Sequence, residues 1–336
     1  MNILLTSVGR RTYMVEYFKE ALKGQGKVYV SNSVKTYTME HADGFLVSPL
    51  IYDSNYIDVL IQYCKENEIA AIVPLFDIDI PVLARNRELF GQAGVKLIVA
   101  STEVADKCND KWLTYCGLKD MGLAQPETFI SREEAKVQLA QNNIQFPLIL
   151  KPRWGCGSIG IMEACNETEM DVLYQKLYKE IFDSYLKYES NADQANCIVI
   201  QQKIDGQEYG LDVFNDLNGC LATVVAKKKI AMRAGETDVA EIVAREPFMG
   251  VATILSEKLH HVGNLDVDVF LTPDNRIFVL EMNARFGGQY PFSHLAGVNF
   301  PKQIVKWLRG EGNDSSLLNA EVGVRSCKDL LPVRLN

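Results

Sequence analysis

Short apolar runs alternate with helical patterns over the first hundred residues, and this rhythm restricts the fold more than any other feature. The apolar runs lie at 3–5, 28–30, 70–74 and 95–99. The helical patterns between them lie at 13–22, 56–64 and 80–89. Strands that alternate with helices build a parallel sheet covered by helices. We therefore expect a Rossmann-like α/β domain at the N-terminus.

After residue 121 the rhythm changes, and strands come in adjacent pairs. The apolar runs here lie at 197–201, 209–214, 221–226, 267–271 and 277–282. The turns between them contain Asp205-Gly206, Asn218-Gly219 and Pro273-Asp274-Asn275. Such turns are typical of antiparallel hairpins, so we expect two α+β units after the N-terminal domain. The most linker-like stretch, 310–316, precedes a short C-terminal tail.

Composition narrows the classes of function. The chain has 336 residues, 47% of them hydrophobic, and a net charge of -8, which suits about two or three folded domains. Its longest block of basic residues is 227–229, so no broad positive field suited to nucleic acid is expected. No apolar stretch approaches the ~18–20 residues of a membrane span, and the N-terminal charges follow the apolar run, unlike a signal peptide. These features predict a cytoplasmic protein with small-molecule partners, and neither nucleic acid nor membrane as a partner.

Several familiar catalytic and cofactor motifs are missing. The cysteines form no C-x-x-C pair, the histidines lack H-E-x-x-H spacing, and no G-x-S-x-G occurs, so chemistry must depend on carboxylates, lysines, arginines and bound ions. The first βα turn, 6–11, has one glycine and does not predict an NAD site. Arg10 and Arg11 in this turn could hold an anionic substrate group; surface solvation or pairing is the alternative. Cys156 is better explained by its small size than as a nucleophile.

A glycine-rich loop with the sequence KPRWGCGSIGI follows the apolar run 146–150. Lys151 ends the predicted strand, and Gly155, Gly157 and Gly160 let backbone N–H groups approach an oxyanion closely. In the familiar phosphate loop the lysine follows the glycines, whereas here it precedes them. The loop therefore predicts a phosphate site of another design.

Oxygen-bearing side chains gather on the last predicted hairpin. Glu281 and Asn283 are two residues apart on a strand and face one side, and Asp268 can lie across the hairpin from them. Two carboxylates and an amide suit Mg²⁺. Arg285, two residues further on, adds the kind of cation that a transferring phosphoryl group needs. The alternative is an exposed polar strand face.

Four segments occur in a fixed order along the chain: NDK, KPRWGCGSIG, QQKIDGQEYGLD and VDVFLTPDNRIFVLEMNARFGG. In this order the chain resembles the ATP-grasp superfamily, most closely the half-modules of the carbamoyl phosphate synthetase large subunit and their free-standing relatives. The resemblance spans nearly the whole chain, and EMNAR after a hairpin is its most specific part.

This resemblance implies a domain organisation. A Rossmann-like pre-ATP-grasp domain would precede two α+β subdomains that close on ATP, and the lysine before the glycine loop would reach the phosphates from the lid. The implied boundaries are 1–108 for the pre-ATP-grasp domain, 109–310 for the ATP-grasp domain with a mobile lid at about 125–200, and 311–336 for the tail.

The resemblance also implies where ATP binds. Lys111 and Lys151 would neutralise the α- and β-phosphates, and the glycine loop would fold over the phosphate chain. Gln201 to Ile204 would form the hinge against adenine, and Glu208 and Gln201 would contact the ribose, although many relatives have glutamate where Gln201 stands. The full set of nucleotide-binding candidates is Lys111, Lys151, Gly155, Gly157, Ser158, Gly160, Gln201, Gln202, Lys203, Ile204 and Glu208.

The metal and catalytic residues follow from the same resemblance. Asp268, Glu281 and Asn283 would bind one or two Mg²⁺ ions, with Mn²⁺ as an alternative, although some relatives have glutamine or glutamate at position 268. Arg285 would stabilise the departing γ-phosphoryl and the acyl phosphate. Arg233 lies where carbamoyl phosphate synthetase modules carry a loop on the acyl-phosphate side, so a substrate or phosphate role and a surface ion pair both stay open.

The implied activity is ATP-dependent ligation of a carboxylate to an amine-type nucleophile through an acyl phosphate, with release of ADP and phosphate. An ATP-grasp kinase and a nucleotide-binding protein without turnover are the alternatives. The expected partners are small-molecule carboxylates and amines, and a homodimer is compatible with the resemblance.

Overall fold

The computed structural model of the protein describes residues 1–155, 157 and 159–334. The N-terminal elements are β1 (Asn2–Thr6), α1 (Thr12–Leu22), β2 (Val28–Asn32), β3 (Gly44–Val47), α2 (Tyr56–Glu66), β4 (Ile69–Pro74), α3 (Asp79–Arg85), α4 (Arg87–Gln92) and β5 (Lys96–Leu97). The strands form a parallel sheet in the order β3-β2-β1-β4-β5, which confirms the predicted Rossmann-like domain. The order reverses between β1 and β4, so the loops after these strands meet at the carboxyl edge of the sheet, where ligands of such folds bind.

Two helices, α5 (Thr102–Asn109) and α6 (Lys111–Asp120), lead out of this domain. Asp110 separates them and caps α6, because its side chain accepts hydrogen bonds from the backbone N–H groups of Trp112 and Leu113. Side-chain oxygens commonly satisfy the free N–H groups of a first helical turn in this way. The cap makes Lys111 the first residue of α6.

A small antiparallel unit follows. Its elements are β6 (Thr128–Phe129), α7 (Arg132–Ala140), β7 (Leu148–Pro152), β8 (Met162–Ala164), α8 (Glu167–Phe182), α9 (Lys187–Ser190) and β9 (Ile198–Gln202). The strand order is β6-β9-β7-β8. Leu148 and Leu150 of β7 and Ile198 and Ile200 of β9 point into one core that α8 covers with Leu177, as the period of two in a half-buried strand requires. We call residues 128–202 the lid.

The last unit is an antiparallel sheet with helices packed on it. Its elements are β10 (Gln207–Asn215), β11 (Leu221–Arg233), β12 (Glu236–Val243), α10 (Met249–Leu259), β13 (Gly263–Leu271), β14 (Ile277–Asn283), α11 (Tyr290–Leu295), α12 (Phe300–Leu308) and β15 (Arg325–Cys327). The strand order is β14-β13-β10-β11-β12-β15. Within the predicted C-terminal tail, β15 pairs with β12; three residues are too few to show a strand period in the sequence.

The N-terminal domain and the large sheet share one hydrophobic core. Phe18 of α1 belongs to the same buried cluster as Phe214 of β10 and Phe300 of α12, and the last two rings stack with centroids 3.9 Å apart. This packing fixes the carboxyl edge of the N-terminal sheet against the large sheet. In the described ranges, no helix is long and apolar enough to cross a membrane.

Candidate active site

The β13–β14 hairpin presents a row of polar side chains in register. Asp268 is the cross-strand partner of Glu281, and Asp266 is the partner of Asn283. Side chains two apart on a strand share a face, so these four lie together. The strand period predicts Asp268 across from Glu281 and Asn283, whereas Asp266 is an additional member of this row.

Lys229 of β11 lies between two of the predicted ligands. Its Nζ is 2.7 Å from Oδ1 of Asp268 and 2.6 Å from Oε1 of Glu208. Burial by itself lowers the pKa of Lys229, but the attraction of Asp268 and Glu208 outweighs it and raises that pKa. Lys229 therefore stays charged and links the predicted ribose ligand to the predicted metal ligand. Lys229 was not among the residues predicted from the sequence.

Gln289 bridges the two aspartates of the hairpin. Its Nε2 donates to Oδ1 of Asp266 at 2.7 Å and to Oδ1 of Asp268 at 3.1 Å. Two glycines leave the space for this arrangement. A Cβ on Gly210 would lie 1.7 Å from Oε1 of Gln289, and a Cβ on Gly287 would lie 2.2 Å from Cγ of Asp266. No side chain can occupy either position without displacing the network.

Arg285 is held by carboxylates from two domains. Its Nε lies 2.8 Å from Oδ1 of Asp77, and its Nη1 lies 3.1 Å from Oδ2 of Asp266. Burial raises the pKa of Asp266 to about 6; Arg285 opposes this rise and Asp268 adds to it. The predicted catalytic arginine is therefore 9% exposed along its side chain and fixed in the cleft between the N-terminal domain and the large sheet.

Lys151 is a buried lysine of the lid. It is 4% exposed on β7, and burial lowers its pKa to about 8. Glu281 and Asp268 raise that pKa by their charge, whereas Lys111 lowers it further. Lys151 therefore lies close enough to Glu281, Asp268 and Lys111 for their charges to act on it.

The glycine loop is tied to α6. Nζ of Lys111 donates to the carbonyl oxygen of Gly155, and the Arg153 guanidinium contacts the Asp110 carboxylate at 2.7 Å. Gly155, Gly157 and Gly160 all have positive φ, at 138°, 66° and 72°, which glycine alone adopts without strain. Two residues discussed above, Cys156 and Ser158, lie outside the described residues.

The predicted hinge leaves β9 and leads into β10. Gln201 is buried, and its Nε2 donates to Oγ1 of Thr128 at 2.8 Å, so a ribose contact by this side chain would use its Oε1 or its second N–H. Gln202 and Ile204 are half-buried. Lys203 is exposed and pairs with Glu163 at 2.7 Å, so the structure places its charge on the lid surface.

Arg233 lies at the tip of the β11–β12 hairpin. Its side chain is 43% exposed and pairs with Asp238. This contact is an ion pair of the kind expected from the sequence as the alternative to a substrate or phosphate role for Arg233.

Near the same tip, Lys328 pairs with Glu236 at 2.7 Å. Lys328 is the main cause of the lowered pKa of Glu236, and the two arginines of the first βα turn, Arg10 and Arg11, contribute.

The hairpin residues fit a magnesium ion that shares its shell with phosphates. The contacts to Asp268 from Lys229 and Gln289 fall on Oδ1, and Glu281 accepts no side-chain hydrogen bond from a described residue. Within the described residues there is no group of three or more His, Cys, Asp or Glu placed to hold a metal. The site thus offers two carboxylates and an amide, and Mg²⁺ commonly takes water and phosphate oxygens for the rest.

Comparison with protein families gives two matches. The family described as "ATP-grasp domain" matches residues 108–289, more than half of the chain. The family described as "PylC-like, N-terminal domain" matches residues 3–98.

Solved structures with the same fold cover nearly the whole chain. An L-amino acid ligase from Bacillus licheniformis is 19% identical with a TM-score of 0.75, over 99% of this chain and 81% of its own. A biotin carboxylase from Campylobacter jejuni, in a β,γ-ATP complex, is 16% identical with a TM-score of 0.74, over 96% and 74%. An N5-carboxyaminoimidazole synthetase from Staphylococcus aureus, complexed with ADP, is 14% identical with a TM-score of 0.68, over 93% and 78%. At these identities the likeness shows the fold.

Proposed function

The chain belongs to the ATP-grasp family of enzymes, and we propose that it is an ATP-dependent ligase that joins a small carboxylate to an amine through an acyl phosphate. The observation that carries the proposal is the polar face of the β13–β14 hairpin together with an arginine that joins it to the N-terminal domain. Asp268 and Glu281 are cross-strand partners, and Arg285 contacts both Asp266 and Asp77. The charge of Lys151 in the lid acts on the same two hairpin carboxylates. The neighbours of this fold include an L-amino acid ligase.

The nucleotide would lie between the lid and the large sheet. Lys151 and Lys111 would pair with its phosphates, and the glycine loop would cover them as a flap. Glu208 would face the ribose, and the backbone at 201–204 would face adenine. Because Lys151 is buried, its charge acts on a phosphate with little screening by water.

Asp268, Glu281 and Asn283 would hold the magnesium ion, which when bound supplies positive charge to the phosphate oxygens. The site does not distinguish Mg²⁺ from Mn²⁺ by ligand type, because both prefer oxygen. Arg285 would face the transferring phosphoryl group, where fixed positive charge is worth more than in water.

The reaction would proceed in two transfers. A carboxylate oxygen of the substrate attacks the γ-phosphorus, the bond to the ADP oxygen breaks, and an acyl phosphate forms. The amine nitrogen then attacks the acyl carbon, the bond to the phosphate oxygen breaks, and the amine loses a proton. Activation is needed because a carboxylate oxygen is a poor leaving group until it is phosphorylated. Closure of the lid would exclude water, which otherwise hydrolyses the intermediate.

Product analysis tests the proposal. The purified protein with Mg·ATP is screened against pairs of small carboxylates and amines, and ADP, free phosphate and the condensed product are measured. A ligase releases ADP and phosphate in equal amounts only when a substrate pair is present. If ADP appears while the phosphate stays on the substrate, the protein is a kinase and the ligase proposal is wrong. If no ADP appears with any pair, a nucleotide-binding protein without turnover is favoured.

A further inference from the structure

Asp77 of the N-terminal domain contacts Arg285 of the large sheet along one edge of the guanidinium. Nε of Arg285 lies 2.8 Å from Oδ1 of Asp77, and Nη2 donates to Oδ2 at 3.0 Å. The two residues are 208 positions apart in the sequence. One hydrogen bond together with a second close ion-pair contact restricts the orientation of the guanidinium as well as its position.

The loop that carries Asp77 is itself rigidly held. Leu75 is fully buried, and its N–H donates to the carbonyl oxygen of Thr6 at 3.2 Å. Asp79 is also fully buried and accepts hydrogen bonds from Tyr56 at 2.7 Å and Ser7 at 3.1 Å. These anchors on both sides of Asp77 are contacts within the N-terminal domain, so that domain sets the position of the loop.

The opposite edge of the guanidinium leads into the polar row of the hairpin. Nη1 of Arg285 contacts Asp266, and Gln289 connects Asp266 to Asp268. A chain of direct contacts therefore runs from Asp77 through Arg285 to a predicted metal ligand. A contact that only held the two domains together would not need this chain of charged residues, because a buried ion pair stabilises a fold no better than apolar packing.

We propose that Asp77 is a positioning residue, which holds the Arg285 guanidinium in the orientation that receives the γ-phosphoryl group of ATP. The N-terminal domain thereby completes a phosphate site that otherwise belongs to the lid and the large sheet. This inference rests on the proposed function, since Arg285 needs orientation only if a phosphoryl group lies beside it.

Nucleotide binding tests the inference without a known acid substrate. Isothermal titration with Mg²⁺ present gives the Kd of ADP and of the β,γ-imido analogue of ATP, which keeps the γ-phosphoryl group. The variants are Asp77→Asn, Asp77→Glu, Arg285→Ala and the double variant Asp77→Asn/Arg285→Ala. The matched control is Asp106→Asn, which breaks the exposed ion pair of Asp106 with Arg85.

Removal of the orienting carboxylate should weaken binding of the ATP analogue more than binding of ADP. We expect Asp77→Asn and Arg285→Ala each to raise the ratio of the two Kd values, analogue over ADP, by about fivefold or more. The double variant should match Arg285→Ala, because Asp77 acts through Arg285. Asp77→Glu should recover part of the loss, and Asp106→Asn should leave the ratio unchanged. A purely structural role would lower the melting temperature without changing the ratio.

Two results would overturn the inference alone. In the first, Asp77→Asn keeps the parent ratio while Arg285→Ala raises it. In the second, Arg285→Ala keeps the parent ratio although both nucleotides bind. Failure of the parent protein to bind either nucleotide would instead overturn the proposed function, and this inference with it.

Discussion

Asp268 and Glu281 are cross-strand partners on β13 and β14, so their carboxylates lie on one face of the large sheet. Lys229 and Gln289 contact Oδ1 of Asp268, and Lys151 of the lid interacts with both carboxylates through its charge. Two like charges side by side need compensating cations. Lysines supply part of this charge, and a bound metal would supply more.

Binding of Mg·ATP should therefore stabilise the folded protein, and ATP without a divalent cation should do so less. A ligand at a hundred times its Kd adds about 2.7 kcal/mol to the apparent stability. Thermal unfolding with Mg·ATP, with ATP plus a chelator and with NAD measures the difference. No shift with millimolar Mg·ATP would contradict the nucleotide site, and a shift with NAD would favour a different cofactor.

Nucleotide affinity should fall as the pH rises through about 8, because that is the pKa to which burial lowers Lys151. The charged lysine binds phosphate, and it is the dominant form below this pH. Above it the lysine loses its proton, and affinity should fall by up to about tenfold for each pH unit. Titration of ADP binding between pH 7 and 9.5 measures the slope.

Lys151→Met should bind more weakly and lose this slope while it remains folded. The control is Lys136→Met, because Lys136 lies on the lid surface and pairs with Asp171 at 2.8 Å. If Lys151→Met binds ADP as tightly as the parent, the glycine loop is only a structural turn.

The sequence predicts the hairpin residues well because a strand period of two fixes which side chains share a face. This rule and one predicted turn are enough to place Asp268, Glu281 and Asn283 together. Lys229 obeys the same rule on β11, but its partners depend on β10 lying between β13 and β11. That strand order is set by tertiary packing and cannot be predicted from the local pattern of apolar residues.

The contact of Asp77 with Arg285 could not be predicted from the sequence for a related reason. Asp77 follows β4 of the parallel sheet, and its partner becomes visible only when two domains pack through the shared core of Phe18, Phe214 and Phe300. Likewise, β15 has three residues and no period of its own. Contacts set by domain packing or by very short strands leave no local pattern to read.

Gly210→Ala should destabilise the protein, because the new methyl group would lie 1.7 Å from Oε1 of Gln289. Gln289 would have to move and give up its hydrogen bonds to Asp266 and Asp268. Overpacking of this kind costs about 1–3 kcal/mol. Chemical denaturation measures it, with Gly250→Ala as the control, since a Cβ on Gly250 meets nothing within 4 Å. A Gly210→Ala variant as stable as the parent would show that Gln289 is not held as described.

Arg233→Ala should change both stability and turnover little. The side chains of the Arg233–Asp238 ion pair are 43% and 25% exposed, and pairs screened by solvent contribute about 0–1 kcal/mol. Turnover should stay within about twofold of the parent, as for most surface substitutions. A loss of turnover far beyond this, with normal stability, would instead support the substrate or phosphate role for Arg233.

Glu281→Gln should nearly abolish ADP formation while the fold and much of the nucleotide affinity remain. The change keeps the size of the side chain but removes a negative charge from the predicted metal ligands. Adenine and ribose are assigned to 201–204 and Glu208 and not to Glu281, so the loss should fall on the transition state for phosphoryl transfer. We expect a fall in turnover of at least about 100-fold, equivalent to about 2.7 kcal/mol.

The control is Glu241→Gln, at a half-buried position on β12 of the same sheet. ADP release at saturating Mg·ATP, with the substrate pair found in the screen, measures both variants. Turnover near that of the parent in Glu281→Gln would mean that Glu281 holds no catalytic metal, and the acyl phosphate mechanism would lose its source of charge.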